Sequence, residues 1–458
     1  MLNIRGKILA PPAASFLLTN LLLVIVGCNA SHHPGPTVST ATSQPATSVA
    51  LPKIPDRSFN VLDYGASGDG AKDNTVAIQS AVKAASAAGG GSVIIPAGTF
   101  LSGPITLADK INLHLDQGAV LQMISADVYP RANYRHPPLI GGTRLQDVSV
   151  TGWGVIEGKG QPWWMMVRHG TLDARRPELI HFANSVRVAV HGVRLQNAPT
   201  SHIAISHCSD VTIDGVTIAT PDGSPNTDGI DASGDNLVIK NCSIADGDDN
   251  IAFGGRTSNV SVMNCNFGTG HGLSIGSYTR GGLNNLFVDH CTFNGTVSGI
   301  HGKADRDRGG LVQNLVYSNI TMTNVRYPIL FQSFYIRRLK DPNQETVRPV
   351  TDLTPIWKNV TCTNITATGD APKCVAGILW GLPEAPIENF TFKNVNITAP
   401  ASFKICYAKN IVFAADSHIT ITGPGKPLLL YQAQVEAPAQ MEREHLDANQ
   451  AATQAASQ

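Results

Sequence analysis

One eight-residue phrase recurs through the chain, and it restricts the fold more than any other feature of the sequence. Val211 to Ile218 reads VTIDGVTI, and Leu237 to Ile244 reads LVIKNCSI. Val260 to Phe267, Leu286 to Phe293, Leu315 to Met322, Val360 to Ala367 and Phe390 to Ile397 continue the phrase without a gap, and weaker copies stand at Val148 to Val155 and Val186 to Leu195. The first five starts lie 26, 23, 26 and 29 residues apart. A fixed period of that size marks a solenoid of stacked repeats. Within each phrase apolar residues alternate, so one face of each strand points inward and one outward. A single coil cannot bury its inner face, whereas a stack can. Asn241, Asn264, Asn319, Asn364 and Asn394 share the turn position. Asparagine tolerates left-handed backbone and can bond to its neighbours along the stack. Cys242, Cys265 and Cys291 share the next position with Ile320, Ile365 and Val395, which suits a ladder of small core side chains. Few disulfides, if any, are expected.

The expected fold is therefore all-β, a solenoid over residues 58–432. Its 458 residues exceed what one compact core usually supports, but repeats escape that limit because each contacts only its neighbours. Forty-three glycines and only 15% charged residues suit many short strands and tight turns. Lys plus Arg equals Asp plus Glu at 34 each, and there is no basic arm, so a nucleic-acid partner is excluded. A monomer is expected. Asp73 to Ala88 predicts the clearest helix, capped by Asp73 or Asn74 and stopped at Gly89 to Gly91, and it is suited to cover the open end of the solenoid. The long interval between 322 and 360, with Arg337, Arg338, Lys340 and Asp341, reads as a loop insertion. An Ala- and Gln-rich tail at 433–458 is expected to be peripheral.

The beginning of the chain reads as an export signal. Arg5 and Lys7 precede a nearly apolar run from Phe16 to Val26, which is short for a membrane span. Residues 1–27 are expected to be removed. Ile25-Val26-Gly27-Cys28 resembles a lipobox, which makes Cys28 a lipidation site and the lipid the sole membrane contact; an ordinary signal peptide is the alternative. Residues 28–57, rich in Ser, Thr and Pro, read as a disordered spacer.

The chemistry is concentrated between 226 and 303. Asp228 follows Asn226-Thr227, Asp248 and Asp249 follow Gly247, and His271 stands between Gly270 and Gly272. From 228 to 249 is 21 residues and from 249 to 271 is 22, each about one coil. On a β-helix such residues stack at roughly 4.8 Å on one outer face. Three acids and a histidine there match glycoside hydrolysis, which needs one protonated acid and one carboxylate. Crowded like charges raise one of the pKa values and keep that acid protonated. Any one of these motifs alone reads better as a solvated turn; together, at coil spacing, they read as a site.

These motifs resemble the ordered Asn-Thr-Asp, Gly-Asp-Asp and Gly-His-Gly signatures of glycoside hydrolase family 28, the polygalacturonases and rhamnogalacturonan hydrolases. Phe59 to Gly70, Gly154 to Gly160 with Trp163-Trp164, and Arg308-Gly309-Gly310 extend the resemblance over residues 58 to 430. It implies a right-handed parallel β-helix acting on a pectic polysaccharide with inversion and without metal or cofactor. It makes Asp248 the general acid, gives the water to Asp228 and Asp249, and lets His271 tune the acid. It makes Asn226, Lys303 and Tyr335 contacts to substrate. The family's Arg-Ile-Lys is His301-Gly302-Lys303 here. Histidine cannot bind a carboxylate bidentately as arginine does, which puts ordinary galacturonate recognition in question. Arg256, Arg280 or Arg306 could supply the charge. Trp163 and Trp164 suit either sugar stacking or packing. A pectate lyase on the same fold and a non-catalytic carbohydrate-binding β-helix remain the rival functions.

Overall fold

The protein is described here over residues 49–336 and 345–447 of a computed structural model. Thirty-three strands among these residues form one parallel β-helix, right-handed as expected. The register follows the repeated phrase. Val211 pairs with Leu237, Leu237 with Val260, Val260 with Leu286, Leu286 with Leu315, Leu315 with Val360, and Val360 with Phe390. Inward residues from every coil join one apolar core along the solenoid axis. The seven described cysteines are free and buried, and Cys242, Cys265 and Cys291 lie on adjacent rungs of that core.

The turn after the long strand explains the asparagines. Asn241, Asn264, Asn319, Asn364 and Asn394 all have φ between 49° and 56°. Their amides bond along the stack, with Asn364 Nδ2 donating to Asn319 Oδ1 at 3.0 Å and Asn394 Nδ2 to Asn364 Oδ1 at 2.9 Å. A second set, not singled out from the sequence and also at positive φ, forms two bonded runs, Asn236, Asn259 and Asn285, then Asn314, Asn359, Asn389 and Asn410, with Asn314 donating to Asn284 between them.

The capping helix spans Thr75–Ala87, with Ile78, Ala81, Val82 and Ala85 buried against the first coil. Asp73 supplies the cap, since its Oδ1 accepts from the Thr75 amide at 2.9 Å. Asn74 is turned away and bonds to Ser67 and Lys72. A second helix, Gln161–His169, did not stand out in the sequence. It buries Trp163 and Trp164, and Trp164 Nε1 donates to the Ala198 carbonyl; Trp163 packs in the core, whereas Trp164 also borders a groove.

Both ends of the solenoid differ from the sequence reading. The spacer ends before residue 57, because the Lys53 amide donates to Asp147 Oδ1 at 2.9 Å and the Arg57 carbonyl accepts from Ser92. The last coil continues past 432. Leu428–Glu436 and Arg443–His445 are strands, and Leu446 packs into an apolar cluster with Phe334, Trp380 and Tyr431. Cys28, the export segment and the basic residues 337–341 lie outside the described residues.

Candidate active site

Strand register brings the motifs together. Ile230 pairs with Ile251, and Ile251 with Leu273. Asp228, Asp249 and His271 each precede one of these three residues by two positions, so the turns carry them into one column. Asp248 lies beside the column. Gly272 permits this, because its φ is +83° and a Cβ there would lie 1.9 Å from the Ser298 carbonyl oxygen. The same strands extend the site along their outward positions. Asp231, Ala252, Ser274 and His301 form one row, and Gly276 pairs with Lys303 in the next.

Although this face points outward, several of its residues are buried: Asp249, His301 and Lys303 are 4%, 7% and 4% exposed. Asp248 Oδ1 accepts from the Asp249 amide at 3.0 Å and from His271 Nδ1 at 3.0 Å. Its Oδ2 accepts from Asn226 Nδ2 at 3.3 Å. Asp249 accepts from Lys303 Nζ at 2.6 Å and from Ser274 Oγ at 2.8 Å. His301 lies against Ser274 and Gln332, with its ring 6.2 Å from that of Tyr335. The Tyr335 ring centroid is 5.0 Å from Lys303 Nζ. Seven of the eight residues expected at the site from sequence are joined by these contacts, and the eighth, Asp228, stands one rung from Asp249 in the column.

The charges are distributed unevenly. Burial, and then repulsion from Asp231, Asp248 and Asp249, pushes the Asp228 carboxyl well above the ordinary range. Burial, joined by the charge on Asp249, raises Asp231 to about 6. Burial also raises Asp246 well above its ordinary value; this residue is fully enclosed and accepts from the Asp248 amide. Asp248 is lowered: burial acts against this, but the hydrogen bond and charge of His271 outweigh it. The same bond to Asp248 raises His271. His301 is pushed well below its ordinary value by burial and then by Lys303 and His271, so its imidazole is neutral at pH 7. One oxygen of Asp248, one of Asp249 and one ring nitrogen of His271 lie within 4.8 Å of one another. A cation there would face the ammonium that already bonds Asp249.

Sequence reasoning missed Arg176, Asp231, Asp246, Ser274 and Gln332. For Asp231 and Ser274 a signal existed, since each lies three residues beyond a site residue, Asp228 or His271, on an outward-facing strand position. For Arg176 there was none. Of the arginines offered as replacements, Arg306 is held by Glu345 and Glu384. Arg256 and Arg280 line a separate groove of about 840 Å³ with Thr351 and Asp352. A second groove, of about 820 Å³, runs from Ser224 and Asp222, beside the Asn226 turn, toward the N-terminal coils, past Asn197, Glu157 and Lys159.

The model of "Glycosyl hydrolases family 28" matches residues 86–416. An endo-polygalacturonase of Pectobacterium carotovorum subsp. carotovorum is 30% identical over 399 residues, covering 80% of this chain and 93% of its own. A probable polygalacturonase of Arabidopsis thaliana is 34% identical over 60% of this chain, which spans 61% of that relative. The solved polygalacturonase of Erwinia carotovora ssp. carotovora superposes with a TM-score of 0.67 at 30% identity, covering 80% of this chain and 99% of its own.

Proposed function

Because this chain belongs to family 28 of the glycosyl hydrolases, we propose that it hydrolyses a pectic polysaccharide or its oligomers by inversion, with Asp248 as general acid and Asp228 and Asp249 directing the water. The observation that carries this reading is the stacking of Asp228, Asp249 and His271 in one column, with Asp248 bonded to His271 beside it. Cleavage needs a proton at the leaving oxygen and a carboxylate for the water. The Asp248–His271 pair holds a single proton between an acid and a base, and titrates as a unit. Asp248 passes that proton to the leaving oxygen while His271 remains as its partner. Asp228 and Asp249, one coil apart, face the water from two rungs. Lys303 keeps Asp249 oriented, and Tyr335 covers Lys303.

Spacing alone does not dictate inversion. Inverting carboxyls usually stand roughly 6.5–9.5 Å apart, and an oxygen of Asp248 lies within 4.8 Å of one of Asp249. The inversion rests on family likeness. The test is reducing-sugar release on a panel of pectic substrates, with proton NMR of the first product. Hydrolysis with the anomer opposite to that of the cleaved bond is expected; accumulation of the retained anomer, or of an unsaturated product, would replace this mechanism. Activity is expected to survive a chelator, which separates it from a calcium-dependent lyase.

The substrate is proposed to differ from plain galacturonan at the scissile bond. A neutral, buried His301 replaces a bidentate cation, and the Lys303 ammonium is engaged by Asp249. Rhamnogalacturonan or a substituted galacturonan suits such a pocket. From the sequence, export with lipid attachment at Cys28 is proposed as well; mass spectrometry of the mature N-terminus tests it, and an unmodified Cys28 would rule out the anchor.

A further inference from the structure

Arg176 is 8% exposed, and its guanidinium reaches from the segment after helix Gln161–His169 to the turn that carries Asn226. Nη1 donates to the Pro199 and Pro225 carbonyls at 2.7 Å each, and Nη2 donates to Asn226 Oδ1 at 2.9 Å. None of these acceptors is a carboxylate. A buried cation is costly unless it is fully bonded, so its place here calls for an explanation beyond chance packing. The chemistry of the two side chains supplies one. Guanidinium can only donate, so the Asn226 oxygen must face it. The Asn226 amide nitrogen is then turned to Asp248 Oδ2, at 3.3 Å. Arg176 and Asp248 select the same orientation from opposite sides, the guanidinium because it can only donate and the carboxylate because it can only accept; without Arg176 only the single 3.3 Å bond to Asp248 would hold the amide against a flip.

We propose that Arg176 is a positioning residue for the hydrolysis, acting through Asn226, whose amide orientation it fixes so that the nitrogen donates to Asp248 Oδ2. The proposal rests on the reading of Asp248 as the proton donor. The consequence is directional. With Oδ1 taken by the Asp249 amide and His271, and Oδ2 restrained by a single donor, the Asp248 carboxyl has one orientation toward the leaving oxygen. Arg176 does this from behind the turn.

A double-variant cycle tests it, using Arg176→Met, Asn226→Ala and the pair, on the substrate that the unaltered protein cleaves best. Residues that act through one another are non-additive. Arg176→Met is expected to lower kcat by about tenfold or more with KM within about threefold, and by less than about twofold in the Asn226→Ala background. The alkaline limb of kcat is expected to move upward in each single variant, because each weakens the stabilisation of the Asp248 anion; the Arg176 charge also acts directly on Asp228 and Asp248, so the coupling is read from kcat and not from the limb. Multiplicative losses, or a loss confined to KM, would overturn the proposal and leave Arg176 as a clamp between the 199 and 225 turns. Should Arg176→Met fail to fold, Arg176→Gln, which removes the charge and cannot reach all three acceptors at 199, 225 and 226, runs the same cycle with the same criterion. Asp248→Asn is assayed alongside. Full activity in that variant would refute Asp248 as the acid whatever the cycle returned, so the two failures can be told apart.

Discussion

His271 Nδ1 lies 3.0 Å from Asp248 Oδ1, and the two groups shift each other in opposite directions, the imidazole upward and the carboxyl downward. An acid catalyst with a lowered pKa looks wrong in isolation. It is consistent once the proton is assigned to the pair, because coupled groups release protons as a unit. Asp248→Asn breaks the unit. Turnover is expected to fall by roughly 10²–10⁴-fold, with far-ultraviolet circular dichroism unchanged. In the same variant the His271 resonance should titrate at lower pH than in the unaltered protein, since its partner is gone while its burial remains. Near-normal turnover would transfer the acid role to another group.

The pH profile follows from the same shifts. His271 is raised, so the pair keeps its proton below that raised value and loses it as pH climbs through it. Asp228 is raised well above its ordinary range, so it becomes ionised, and able to assist the water, only at correspondingly higher pH. A bell in kcat/KM is expected, with its acid limb above the usual carboxylate region and its alkaline limb above the usual histidine value. Asp228→Asn should lower activity across the range. A plateau extending down to pH 4 would contradict the assignment of Asp228.

Asp231 offers a stability test separate from turnover. Burial is the first cause of its rise from 3.8 to about 6. A carboxyl raised in the native state binds its proton more tightly folded than unfolded, so stability falls as pH rises from about 4 through about 6 and stays lower above. Asparagine removes the charge and can still accept from Ser201, which donates to Asp231 Oδ2. Asp231→Asn is therefore expected to stabilise the protein at pH 7 by about 1–3 kcal/mol, with little gain at pH 4. Thermal melts at the two pH values read this directly; equal shifts at both would mean that charge is not the cause.

Much of this was legible in the sequence because a β-helix turns sequence period into stacking. The 21- and 22-residue steps from Asp228 to Asp249 to His271 survive as a single column because the strands Ile230, Ile251 and Leu273 that follow them are in register. His301 and Lys303 were legible only through the resemblance to the family's Arg-Ile-Lys, and the strand Ser298–Lys303 turns both to the outward face. Arg176 was not. It enters from a segment outside the repeat, and its significance lies in three acceptors at 199, 225 and 226 that no local pattern connects. The helix Gln161–His169 was hidden for a related reason, since its paired tryptophans are as compatible with a binding wall as with packing. The last coil was hidden by composition, because alanine and glutamine around residue 433 conceal the alternation that Leu428–Glu436 retains.

The asparagine ladder predicts how the solenoid is held between rungs. Asn364 has φ +54° and both accepts from Asn394 and donates to Asn319. Alanine loses both bonds and keeps the left-handed backbone, which costs L-residues roughly 1–2 kcal/mol. Asn364→Ala is expected to destabilise by about 1–3 kcal/mol, and Asn364→Gly by less, because glycine adopts that backbone freely. Denaturant melts rank the two. Equal losses in the two variants would mean that the side-chain bonds, which both remove, dominate over the backbone conformation.

The proposed substrate preference rests on His301. Its imidazole is neutral and is packed between Ser274, Gln332 and Tyr335, so it can offer one hydrogen bond but no charge to a substrate carboxylate. The ammonium of Lys303 is bonded to Asp249 at 2.6 Å, and Arg306 is held by two glutamates, so neither replaces a bidentate guanidinium. A charge-assisted hydrogen bond contributes about 1.5–3 kcal/mol, equivalent to roughly 10–150-fold in kcat/KM. The unaltered protein is therefore expected to prefer rhamnogalacturonan or a substituted galacturonan to polygalacturonate. His301→Arg should shift that preference toward polygalacturonate by about tenfold or more, provided that a thermal melt shows the larger side chain is accommodated beside Lys303. The measurement is kcat/KM for both proteins on polygalacturonate, rhamnogalacturonan and xylogalacturonan. Clear preference of the unaltered protein for unsubstituted polygalacturonate would sink the idea and direct attention to Arg256 and Arg280 across the neighbouring groove.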